Sequence, residues 1–389
     1  MTPGARIAAA AALLDEILAG APADRSLAAW GRANRFAGAR DRAALADLVH
    51  DALRRRRSLA FRGGDSGRGL MLARAAERGE LALFDGQGHA PAPPTAAELA
   101  RLFRRETPPE AVALDVPEAL EAELRRSLGV QFAAVMAALR RRAPLFLRAN
   151  TLKTSREAAI AALARDGVTA VPEAADPDAL RVIDGARRVQ HAAAYRAGLV
   201  EIQDLSSQRV ARFAAARAGE TVLDFCAGGG GKTLALAAHM GGRGRLLAHD
   251  AEPRRMEQLR LRAARAGVRV SLLAPDPPPQ AADLVFVDAP CSGSGAWRRN
   301  PDAKWRLDAA GLARFCALQD RVLEAAAAHL APGGRLVYAT CSLLQAENED
   351  RIAAFLDRHR RFGLGRTLRL TPLEGGDGFF AAMLHAPVG

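Results

Sequence analysis

The residues Asp224 to Thr233, DFCAGGGGKT, decide how this chain is read. An apolar run, TVLDF, leads into four consecutive glycines and a Lys-Thr pair. Glycines at such a turn let backbone N–H groups and a helix N-terminus approach a ligand without a Cβ in the way. The Gly-Lys-Thr ending suggests a nucleotide phosphate loop, which requires G-x-x-x-x-G-K-[ST]. Counting back five from Gly231 reaches Cys226, where that pattern needs glycine, and it fails there.

Further apolar runs follow: RLLAH, VRVSLL, DLVFVD and GRLVYAT. Helical patterns at 232–240, 253–266 and 308–330 separate most of them. Strands alternating with helices predict βαβ units and a mainly parallel sheet, with ligands at the carboxyl ends of the strands. Asp224, Asp250, Asp276, Asp288 and Cys341 fall at those ends. Asp250 ends the second strand, 26 residues beyond Asp224, where an acid accepts ribose hydroxyls. Glycine loop plus Asp250 fits S-adenosylmethionine (SAM) or NAD equally.

The cysteines separate those two. DAPCSGSG (288–295) and ATCS (339–342) each follow a strand and open on the same crevice. A thiolate adding to C6 of cytosine turns C5 into a nucleophile that attacks a methyl sulfonium. Asp288 is placed to bond the N3/N4 edge of the base, and Pro290 stiffens the turn carrying Cys291. A base inside a duplex is out of reach, so the target must be unpaired or flipped out. Either Cys291 or Cys341 can present the thiolate on this reading.

Upstream, helical periodicity covers 5–60, with Ile7, Leu14, Ile17 and Leu18 on one face and Leu45, Leu48, Val49 and Leu53 on another. Residues 62–70 and 84–95, rich in Gly and Pro, are expected as loops, and helices resume from 96 to 142. PLFLRANTL starts a strand, and SREAAIAALARDG a helix stopped by Gly167, within a small α+β module. Arg54–Arg57 and Arg140–Arg142 form basic runs, and Lys plus Arg exceed Asp plus Glu by 55 to 43, a net charge of +12 that favours a polyanionic partner. Trp297 and Trp305 are candidates either for stacking on RNA bases or for packing, and Cys316 for the core.

No apolar stretch reaches 18 residues, and the N-terminus is interrupted by Asp15 and Glu16, so neither a membrane span nor a signal peptide is expected. Four scattered cysteines without a C-x-x-C pair predict no disulfide framework, no metal site and a cytoplasmic location.

At this point the chain resembles the Sun family of RNA cytosine-5 methyltransferases, on LRANTLK (147–153), GLVEIQDLSSQ (198–208), DFCAGGGGKT, VDAPCSGSG, RRNPDAKWR (298–306), ATCSLLQAENED (339–350) and GGDGFF (375–380). The resemblance implies Cys341 as nucleophile and Cys291 as the residue assisting product release. It implies SAM contacts along Cys226, Ala227, Gly228, Gly229, Gly230, Gly231 and Lys232, and at Asp250, Asp276 and Asp288. It implies a Rossmann-like α/β catalytic domain over 201–389, a small α+β module over 143–200, and an all-α, antitermination-factor-like RNA-binding domain over 1–142. The substrate it implies is 16S ribosomal RNA or an assembling small subunit, met by a monomer; transfer RNA, or a non-catalytic assembly factor, are the alternatives. One departure stands out: the family usually has Ala-Pro where this chain has Gly228-Gly229, which frees the loop backbone.

Overall fold

The computed structural model describes residues 1–388, which divide into two compact units. The first holds residues 1–125, 129–142 and 297–308; the second holds 126–128, 143–296 and 309 onward.

In the first unit, helices Pro3–Leu18, Ala39–Arg54, Arg56–Gly63 and Gly67–Arg78 surround one apolar core. Leu14, Leu45, Val49, Leu53, Leu59 and Leu70 are at most 1% exposed. These are the positions that 3.6-residue periodicity puts on one face. The expected loop at 62–70 is instead largely helical: Arg56–Gly63 ends there, and Ser66 caps Gly67–Arg78 by accepting the Gly69 N–H at 3.0 Å. The glycines serve close approach, not chain reversal. A Cβ on Gly63 would lie 1.8 Å from the Gly69 carbonyl oxygen, and one on Gly67 1.9 Å from that of Ala11. Trp297 is 1% exposed, which removes it as a stacking platform, and the Trp305 indole N–H donates to Leu53 O at 2.7 Å.

The second unit carries two sheets. The smaller comprises β1 (Leu145–Ala149), β2 (Thr169–Pro172), β3 (Ala179–Asp184) and β4 (Val200–Ile202), ordered β2-β3-β1-β4 and antiparallel. Helix Arg156–Arg165 packs on it, capped by Ser155 and followed by Gly167 at φ +71°, the left-handed stop the sequence suggests. Asn150 joins the two sheets' layers, donating to Gly198 O and Ala266 O at 2.9 Å each.

The larger sheet comprises β5 (Thr221–Asp224), β6 (Arg245–Ala248), β7 (Ser271–Leu272), β8 (Ala282–Asp288), β9 (Leu330–Thr340), β10 (Gly363–Leu370) and β11 (Phe379–His385), ordered β10-β11-β9-β8-β5-β6-β7. β5 to β9 are parallel; β11 pairs antiparallel with both β9 and β10. Side chains alternate between two cores. Val222, Leu284, Phe286 and Val337 pack on one face, and Leu223, Val285, Val287 and Tyr338 on the other. The chain runs from β5 outward to β6 and β7, then returns to β8 on the other side of β5. That reversal opens a crevice at the carboxyl ends of β5 and β8.

Candidate active site

β5 delivers the glycine loop to that crevice. Asp224 ends the strand fully buried, accepting from the Thr233 hydroxyl at 2.6 Å, while its Oδ1 is buried without a partner. Burial pushes its carboxyl up to about 7, with the Thr233 bond pulling the other way. Gly228 and Gly230 take left-handed φ values of +50° and +81°, and helix Gly231–His239 starts immediately after. A Cβ on Gly230 would sit 2.2 Å from Leu259 Cδ1.

Two ties hold the loop where it departs from the family pattern. The Gly228 N–H donates to Asp250 Oδ2 at 3.0 Å. The Gly229 carbonyl accepts from Arg262 at 2.6 Å, and Glu201 holds that guanidinium at 3.0 Å. Asp250, 3% exposed, also accepts the Glu252 N–H at 3.0 Å.

Lys232 leaves the first turn of the helix and reaches Asp288 at the end of β8, Nζ to Oδ2 2.6 Å. Burial works against the Lys232 charge, but the Asp288 carboxylate outweighs it and raises the ammonium above its usual value. Beyond β8 and β9, Cys291 and Cys341 meet with their sulfurs 3.4 Å apart. The bond to Cys341 first, and burial second, raise the Cys291 thiol well above its ordinary value, so Cys291 keeps its proton.

The crevice encloses about 470 Å³. Cys226 to Lys232, Asp288, Cys291 and Cys341 all line it. Asp250 stands behind the loop and reaches it through Gly228. Asp276 is exposed and outside the lining. Cys226 is a thiol that burial raises, not a free nucleophile. Cys316 is half-buried and contacts Ala346 O at 3.3 Å. Sequence reasoning missed Arg255, Arg262 and Phe315 in the lining, which carry no motif. It also missed Glu347, fully buried beneath the two cysteine loops, whose only signal is its place six residues after Cys341.

A glycine cradle without side chains, a helix N-terminus and the orphaned Asp224 oxygen suit a ligand with a carboxylate and an amine. Together with the sheet topology they define a Rossmann-like methyltransferase. Residues 211–385 match the family model described as 16S rRNA methyltransferase RsmB/F, and residues 116–190 match its ferredoxin-like domain. The chain belongs to this RsmB/F family.

Among its relatives, ribosomal RNA small subunit methyltransferase B of Citrobacter koseri is 35% identical over 283 residues, covering 69% of this chain and 66% of the relative. That of Erwinia tasmaniensis is 34% identical over the same shares. The chain thus spans 66% of the length of these relatives. A methyltransferase homologue from Pyrococcus horikoshii superposes with TM-score 0.62 and 26% identity over 71% of this chain and 97% of its own. The crystal structure of PH0851 superposes with TM-score 0.76 and 24% identity over 99% of both chains, a likeness of fold.

Proposed function

We propose that this chain transfers the methyl group of SAM to C5 of a cytosine in 16S ribosomal RNA. The observation that carries this reading is the pair of sulfurs 3.4 Å apart, beside the Lys232–Asp288 pair and facing the glycine loop. A methyl donor needs only the cradle; two thiols at the reacting end fit covalent activation of a pyrimidine.

The loop from Cys226 to Lys232, with Asp250 behind it, holds SAM, which supplies an electrophilic methyl group. Cys341 adds to C6 as thiolate, the C5–C6 double bond opens, and the electron pair this puts at C5 takes the methyl as its bond to sulfur breaks, leaving S-adenosylhomocysteine. Asp288, 31% exposed, bonds the N3/N4 edge while Lys232 steadies negative charge that the addition places on the ring. A base removes the C5 proton, the C6–S bond breaks, and the pair of electrons returns to Cys341. Cys291 holds its proton and donates it as a hydrogen bond to the departing thiolate, which fits a role in release. The ties to Asp250 and Arg262 supply the order that the missing proline would have given the loop, which favours an active enzyme over a binding factor.

The basic charge balance supports RNA contact by the helical residues 1–142. The four cysteines are free thiols, and no described helix is long and apolar enough to cross a membrane, which fits action beside assembling ribosomes in the cytoplasm. The test is transfer of labelled methyl from SAM to 16S rRNA or small subunits taken from cells lacking the protein, beside transfer RNA. Label at C5 of one ribosomal cytosine is expected. Label only on transfer RNA would shift the substrate, and RNA binding without label on either would leave the binding factor.

A further inference from the structure

The Glu347 carboxylate is fully buried, and four donors converge on it. Its Oε1 accepts the Ser292 N–H at 2.8 Å and Gln319 Nε2 at 3.0 Å. Its Oε2 accepts the hydroxyls of Ser292 and Ser342, each at 2.5 Å. Ser292 follows Cys291 and Ser342 follows Cys341, so one side chain grips the residue next to each thiol. Gln319, from helix Ala309–Ala327, spans the same junction by donating also to Pro290 O at 2.9 Å.

The cysteines sit on loops that leave two neighbouring strands, and strand pairing stops before them: the last pair in register is Asp288 with Ala339. Past that point the separation of the sulfurs depends on what joins the loops. Ser294 Oγ to Ser342 Oγ at 3.0 Å and the Gly295 N–H to Cys341 O at 3.0 Å are local links. Among the described residues, the Glu347 carboxylate has two acceptor atoms placed to bind both loops and the helix beneath them. An anion with four donors is satisfied in the interior, whereas removing it orphans all four.

We propose that Glu347 is a positioning residue that holds the loops of Cys291 and Cys341 in mutual register. The proposal rests on those two thiols being the working groups of the reaction. It makes no contact with substrate itself and acts through Ser292 and Ser342.

Disulfide formation between the two thiols by diamide, which takes up two electrons and two protons, reads their register without any methylation. Glu347→Ala, with its fold checked by circular dichroism, is expected to slow crosslinking and to lower kcat by about a hundredfold, leaving KM for RNA unchanged. Glu347→Gln should restore crosslinking, since its carbonyl accepts the two fixed N–H donors and its NH2 donates to hydroxyls that rotate. Parent-like crosslinking in Glu347→Ala, or a Glu347→Gln variant as slow as the alanine, overturns the proposal. Should Glu347→Ala not fold, Ser342→Ala decides by the same readout, slowed crosslinking supporting the role and a parent-like rate refuting it. A parent chain that methylates no RNA would end the proposed activity and leave the crosslinking comparison valid.

Discussion

Lys232 and Asp288 form an ion pair 2.6 Å long, the lysine from the helix after β5 and the acid from the end of β8. Lys232 is 11% exposed and Asp288 31%, so the acid faces the crevice and the lysine backs it. This pair bridges the point where the sheet order reverses, and it fixes Asp288 at one side of the cysteines. Lys232→Met should therefore leave an unpaired carboxylate at the reacting edge. The expected loss in single-turnover methyl transfer is about a hundredfold or more, with SAM affinity reduced far less. Loss of SAM binding with an unchanged chemical step would leave Lys232 only its place in the donor loop and remove its role at the base.

The two cysteines differ in what they can do alone. The bond to Cys341 and burial raise the Cys291 thiol, and in the proposed reaction Cys341 attacks while Cys291 assists release. Cys341→Ala should abolish methylation. Cys291→Ala should add to the base and stall, accumulating an RNA–protein adduct that survives a denaturing gel. Turnover lost in Cys291→Ala with no adduct would refute its role in release.

The glycines of the loop are not equivalent. Gly230 combines φ +81° with a Cβ position 2.2 Å from Leu259, whereas a Cβ on Gly229 would meet nothing nearer than 3.5 Å, at Arg262. Gly230→Ala should cost about 2–4 kcal/mol, from left-handed strain plus overpacking. Gly229→Ala should cost under about 1 kcal/mol. Urea midpoints of the two variants, measured side by side, check the contrast.

Asp224 makes stability depend on pH. Its carboxyl titrates from an ordinary 3.8 to about 7 in the folded chain, because of burial. Between those values the folded state keeps a proton that the unfolded state has lost, so stability falls as pH rises through the window and levels above it. Asp224→Asn cannot ionise and should not show that fall. The variant's advantage over the parent should grow from pH 4 to 7 by about 1.4 kcal/mol per unit of pKa shift. Denaturant titrations of both chains at pH 5, 6, 7 and 8 measure it, and parallel curves would show that Asp224 stays ionised.

The class of fold was legible in particular stretches. TVLDF, RLLAH, DLVFVD and GRLVYAT became β5, β6, β8 and β9, because strands buried on both faces must be continuously apolar. β10 was hidden: GLGRTLRL is mostly exposed at the sheet edge and carries two arginines, so it shows neither a buried run nor a clean alternation. The helix Gly67–Arg78 was hidden for a different reason, since glycine reads locally as a breaker and only the neighbouring backbone shows that it is there for closeness.

Sequence alone placed Asp224 and Asp288 at strand ends, showed that Cys226 breaks the phosphate-loop pattern, and put a cysteine shortly after each of two later strands, while the strand end it expected at Asp276 falls at Leu272. These are local facts, set by period and by residue type. Only the tertiary structure decided that Cys291 and Cys341 touch, that Lys232 is spent on Asp288, that Arg262 steadies Gly229, and that Asp276 stands outside the crevice. It also decided that one buried carboxylate, Glu347, gathers both cysteine loops. Such contacts join residues up to 56 positions apart, as between Lys232 and Asp288, and no spacing along a chain encodes the distance between two loops that a sheet and a helix bring together.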